Sequence, residues 1–167
     1  MRLKCLFLRE IFKLIQMQQV IETTLKSRKL ISELLQKYTL EQLNEIPEGF
    51  NNNLIWNIGH IIVAQQVLVY KLSALPMMIS DAMVEKYKNG SRPEQDVTQE
   101  ELDAIKQLLF DTIYKTNLDY QNGLFEGYNE YTTSIGFNLK SAEEAMVYNN
   151  FHEGLHVGVM MAIKKFI

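Results

Sequence analysis

Histidine is scarce in this chain of 167 residues, which has three, and two of them, His152 and His156, stand four apart where apolar residues recur with a helical period. On a helix that spacing puts both on one face, with Cβ atoms about 5–6 Å apart, so one metal ion can take a nitrogen from each at about 2.0–2.1 Å. The third, His60, falls on an apolar helical face with Trp56, Val63, Ala64 and Val67. Such faces point inward, so all three imidazoles can converge inside a helical bundle. Three neutral imidazoles leave a zinc-type ion an open position, where water or a substrate thiol can bind and lose its proton near neutral pH. Copper, nickel, iron and zinc all accept imidazole; zinc and nickel are the expected ions. The competing reading is three core or interface histidines with one hydrogen bond each.

The segment His152-Glu153-Gly154-Leu155-His156 also matches H-E-x-x-H, the zinc-protease helix in which the glutamate is a general base. A protease of that type needs a further ligand downstream. Only eleven residues follow His156, none histidine or acidic, and the position of the third histidine in the longer motif is Ala162. Peptidase activity is therefore not expected. Glu153 remains the candidate acid or base. It lies about 100° around the helix from His152, which equally suits a solvated residue or one supporting a ligand by hydrogen bonding. Asn149, three residues before His152, and Asn57, three before His60, are candidates to line the same cavity and bind a cofactor. Tyr148 and Trp56, each one turn before a histidine, suit core packing. Gly154 and Gly158 weaken a helix but let another backbone or a ligand approach, as at a dimer interface. Residues 41–45 and the group Lys86, Lys88 and Arg92 look like solvated faces.

Helical periodicity in four places, without a series of alternating strands, predicts an all-α protein. The first helix runs to about Tyr38, with Ile31, Leu34 and Leu35 on its buried stripe. A short helix follows, opened by the capping box Thr39/Gln42 and closed by Pro47 and Gly49. Asn51 to Asn53 supply caps for the second long helix, which ends near Leu75-Pro76. The third opens at the box Thr98/Glu101 and buries Leu102, Ile105, Leu109, Ile113 and Thr116. The fourth opens at Ser141/Glu144 and carries Ala145, Tyr148, His152, His156, Val159 and Ile163 inward. Residues 76–97, with a short helix near Ser80 to Tyr87, are long enough to cross the length of a bundle. The predicted fold is a four-helix bundle with a long crossover between helices two and three. Residues 131–137 are β-prone but have no expected sheet partner.

One domain of this size buries roughly two thirds of its unfolded surface without disulfides or a structural metal, so any metal is expected to be functional. A net charge of −3 with interspersed signs offers no basic stripe for nucleic acid, and no apolar run approaches a membrane span. Cys5 is the lone cysteine, which fits a cytoplasmic setting. The bundle domain is expected over 17–167. Residues 1–16 read either as an amphipathic helical extension, with Leu3, Phe7, Ile11 and Leu14 on one face, or as an artefact of start-codon assignment ahead of Met17.

The segments Ile46-Pro47-Glu48, Trp56-Asn57-Ile58-Gly59-His60-Ile61 and Asn150-Phe151-His152-Glu153-Gly154-Leu155-His156-Val157-Gly158 resemble the DinB-like superfamily, from about Met17 onward. Carried over position by position, the family's metal triad falls on His60, His152 and His156, the residues that spacing selects. The resemblance implies an up-down-down-up four-helix bundle (DinB-like), a divalent zinc or nickel ion at one end of its interior, and a homodimer. It also implies a small-molecule substrate. Characterised relatives include S-transferases and isomerases that use low-molecular-weight thiols such as bacillithiol or mycothiol, and others are regarded as metal-dependent hydrolases of unknown substrate. Fold and triad are shared across different chemistries, so the resemblance bears on the site more than on the reaction.

Overall fold

A helix start leaves four N–H groups without partners, and a preceding side-chain oxygen can accept from one of them. The computed structural model describes residues 2–167, with side chains from residue 11 onward, and the α-helix starts from residue 40 onward follow this rule. Helix α1 spans Arg2–Leu35. Thr39 caps α2 (Leu40–Asn44) with a complete capping box, and Asn53 caps α3 (Leu54–Gln65). Ser80, Thr98 and Ser141 cap α4 (Asp81–Tyr87), α5 (Gln99–Gln121) and α6 (Ala142–Ile163). At α5 and α6 only the cap half of each expected box forms. The Glu101 carboxylate accepts instead from Lys86 and Tyr87, and that of Glu144 from the Lys140 N–H.

The protein is all-α in its main elements. Helix α1 ends three residues short of the expected Tyr38. Helix α3 continues through a π turn, Gln66–Tyr70, and a 3-10 turn, Lys71–Ser73, and stops at Ala74, whose φ of 58° is left-handed. The expectation of no sheet partner for 131–137 is corrected. Tyr131–Thr132 (β1) pairs antiparallel with Asn138–Leu139 (β2), Tyr131 opposite Leu139. The partner is the segment's own continuation, which reads in sequence as the approach to α6. Gly136, at φ 88°, makes the turn, and buried Leu139 anchors it.

Helices α1 and α3 each pack against both α5 and α6, and α3 also meets α2 and α4. With neighbours on so many sides, α3 is buried on nearly its whole circumference, Leu54 to Val63, rather than on the single face expected. Asn44 belongs to the run expected to be solvated, yet it is buried and bonds both the N–H and the C=O of Val97, tying α2 to the approach of α5. Along α1, Met17, Ile21, Thr24, Arg28, Ile31 and Leu35 are buried, a 4-3-4-3-4 spacing. Upstream of Met17, Lys13 pairs with Glu143 of α6 and Leu14 is exposed, while Leu3 and Phe7 of the expected amphipathic face lie outside the described side chains. Contacts of α1 with α6 run in the same chain order on both helices, Lys13 with Glu143, Thr24 with Asn150 and Arg28 with Glu153, and just beyond their C-terminal ends Tyr38 meets Lys164. Those of α3 with α6 run in opposite order, and those of α3 with α5, Gln65 with Thr116 and Tyr70 with Asp119, in the same order. No helix among the described residues is long and apolar enough to cross a membrane.

Candidate metal centre

The buried stripe of α6 differs from the expected one. Ala145, Tyr148 and Ile163 are buried as expected, but Asn149, Glu153 and Met160 are buried in place of the expected His152, His156 and Val159, so the middle of the helix is turned by about one residue, or 100°. Glu153, which the sequence leaves open between a solvated residue and one supporting a ligand, is fully buried, and Val159, expected inside, is exposed. His152 and His156 consequently stand at the rim of the buried face, half-buried, where they meet His60 of α3, which is buried. One ligand atom from each of the three lies within 4.8 Å of the other two. The Nε2 atoms of His60 and His152 are 3.3 Å apart.

Neighbouring elements fix the orientation of two rings. His60 Nδ1 is 2.7 Å from the Tyr87 carbonyl oxygen, which only accepts, so Nδ1 carries the proton and Nε2 is left bare. That carbonyl reaches His60 because Gly59 has no side chain. A Cβ at Gly59 would stand 2.5 Å from Cδ1 of the Tyr87 ring. The Tyr87 hydroxyl donates to Glu101 at 2.7 Å, which pins α4 to α5. His156 Nδ1 is 2.8 Å from Asn57 Oδ1. The Asn57 amide N–H donates to the Asn53 carbonyl at 2.7 Å, so its oxygen is the end that faces the histidine and Nδ1 is again the donor. Trp56 lies flat on His60, centroids 4.8 Å apart at 7°, and its indole N–H donates to Ser91. Trp56 is thus both core and wall of the site. Tyr148 stands 6.1 Å from the His152 ring.

Burial and then mutual charge keep the cluster neutral. Desolvation, then the neighbouring His60, takes His152 down to about 4, and desolvation with both other histidines takes His156 down to about 3. Burial also lowers His60, against the opposing effect of its bond to Tyr87. Neutral imidazoles with bare nitrogens turned to a common point are what a divalent ion requires. The 3.3 Å separation adds a geometric test, since two nitrogens at about 2.0–2.1 Å from one tetrahedral ion are about 3.3–3.4 Å apart. The donor set fits a divalent transition metal.

Asn57 touches the cluster through His156. Glu153 and Asn149 have different partners. Glu153 Oε1 takes Arg28 Nη2 at 2.8 Å and the Asn149 amide at 2.9 Å, and both Arg28 and Glu153 are fully buried. The second arm of Arg28 donates to the Leu109 carbonyl and to Thr112, each at 2.7 Å. The solvated alternative for Glu153 is therefore wrong: its helix face is covered by α1 and α5. Sequence reasoning missed Arg28, although its place in the 4-3-4-3-4 stripe marks it as inward and in need of a carboxylate. It also missed Tyr87, for which the mid-helix Gly59 was the available signal. A Cβ added at Gly154 or Gly158 would meet nothing within 4 Å, so neither glycine packs closely within this chain.

Comparison with known proteins bears on the fold and the family. The crystal structure of a conserved protein from Enterococcus faecalis is similar in fold, with a TM-score of 0.57 at 15% identity over 90% of this chain and 95% of that one. Among curated proteins no sequence matches significantly. The model of the DinB superfamily matches residues 23–160, which contain all three histidines and most of the bundle. The chain belongs to the DinB superfamily.

Proposed function

We propose that the protein is a metal-dependent enzyme of the S-transferase or hydrolase type, with His60, His152 and His156 holding zinc or nickel. The observation that carries this reading is the convergence of three neutral imidazoles, two of them locked with their N–H groups turned outward. When bound, such an ion supplies Lewis acidity that lowers the pKa of a thiol or water toward neutrality. The chain's own residues orient and exclude. Tyr87 and Asn57 hold two rings in the ligating tautomer, Trp56 shields His60, and half-buried His152 and His156 leave the cluster open to a small molecule. A cavity of about 530 Å³ beside α6 is walled by Phe137, Val147, Tyr148 and Phe151, and none of the three histidines lines it.

The bundle is read as up-down-down-up, supported by the chain order of the contacts that α1, α3 and α5 make. The partner is read as a second copy. Val147, Phe151, Leu155 and Val159 repeat every four residues on α6, are 41–49% exposed, and flank the open glycines 154 and 158. Leu155→Asp is expected to convert a dimer to a 19.5 kDa monomer, read by light scattering; a wild type that is already monomeric would contradict this part.

The functional test is zinc- or nickel-loaded protein assayed for small-thiol transfer to a chromogenic electrophile and for ester and amide hydrolysis. Turnover lost in His156→Ala, with helicity retained, is the expected result. Stoichiometric metal with turnover in neither assay would instead favour a non-catalytic metal-binding dimer.

A further inference from the structure

We infer that Asn149 is the positioning residue of His152, its Oδ1 accepting the His152 Nδ1–H directly or through one water when Nε2 is turned to the metal; this rests on the metal reading above. His60 and His156 each have their outer nitrogen engaged, by Tyr87 and Asn57. His152 does not, because its Nδ1 is buried without a partner. Among the described residues the other buried side-chain atoms without a partner are Asn52 Oδ1 and Asn149 Oδ1. Asn149 is three residues before His152 on α6, on the neighbouring position one turn away, and is 2% exposed.

The orientation of the Asn149 amide follows from its neighbour. Its Nδ2 donates to Glu153 Oε1, a carboxylate oxygen that only accepts and that Arg28 holds in place. Oδ1 is therefore the free end, an acceptor in need of a donor. His152 Nδ1 donates only in the tautomer that leaves Nε2 bare, and that is also the tautomer a metal ligand requires. Pairing with Asn149 and ligation select the same state. Arg28, Glu153 and Asn149 then form a chain from the bundle core to the third ligand, and Glu153 acts through Asn149 rather than as a base.

The test combines zinc affinity, by chelator competition followed through Trp56 fluorescence, with ¹⁵N spectra of the histidine side chains in zinc-loaded wild type, Asn149→Leu and Asn149→Asp. The wild type should show His152 protonated at Nδ1. Asn149→Leu should bind zinc about 10–100-fold more weakly, with His60 and His156 keeping their tautomers. Asn149→Asp, which keeps an acceptor, should restore the His152 signal. Asn149→Leu binding zinc as tightly as wild type, with the His152 signal unchanged, would overturn the inference and leave the metal reading standing. If Asn149→Leu does not fold, a zinc-loaded wild type with His152 protonated at Nε2 would overturn it equally. A wild type that binds no zinc removes both.

Discussion

Helix α6 carries two buried polar clusters within one stretch of eight residues, and they are built on opposite principles. Asn149 and Glu153 meet Arg28, Thr112 and the Leu109 carbonyl in the fully buried centre of the bundle, where the charges are paired and the guanidinium makes its bonds at 2.7–3.5 Å. His152 and His156 meet His60 one helical step away, at the rim, where the Nε2 atoms of His60 and His152 stand 3.3 Å apart and His152 Nδ1 has no partner. Polar clusters built on paired charges hold elements together. A cluster of neutral imidazoles that converge with a buried nitrogen left unpartnered costs stability for the chain alone and suits a cation.

The contrast is most directly broken at the ion-paired cluster. Arg28→Met leaves Glu153 charged and buried without its partner, a loss of about 3–5 kcal/mol, whereas Arg28→Met with Glu153→Leu should recover much of it. Urea unfolding of the metal-free protein measures both. Were Arg28→Met nearly neutral, the ion pair would not be what joins α1, α5 and α6. A smaller loss, about 1–3 kcal/mol, is expected for Gly59→Ala, because the new methyl meets a Tyr87 ring that is itself 2% exposed and has nowhere to swing. This variant sharpens the comparison, since it should also weaken metal binding by moving the Tyr87 carbonyl off His60. An undiminished zinc affinity in Gly59→Ala would mean that the carbonyl does not set the ring.

Helix count, caps and the three converging histidines were legible in the sequence because each has a local signal: periodicity, a capping oxygen, a four-residue spacing. The rotation of α6 was not. Reading the stripe through His152, His156 and Val159 assumed that the chemically interesting face is the most buried one, whereas tertiary packing against α1 buries Glu153 and leaves the histidines at the rim. The α1 stripe marks Arg28 as inward, but Glu153 is 125 residues away and no local signal names it as the partner. The β-hairpin was missed for a related reason, since two-residue strands are too short for alternation to register. Asn57 was selected by proximity in sequence to His60 but serves His156 on another helix.

Metal content per chain, by elemental analysis of untagged protein, tests the central claim most directly when His60→Ala and His152→Ala are prepared alongside. About one zinc or nickel per wild-type chain, absent from both variants while their helicity is kept, is the predicted result. A wild type that holds no metal after incubation with zinc and with nickel would contradict it, and the three imidazoles would then be core groups of a metal-free bundle.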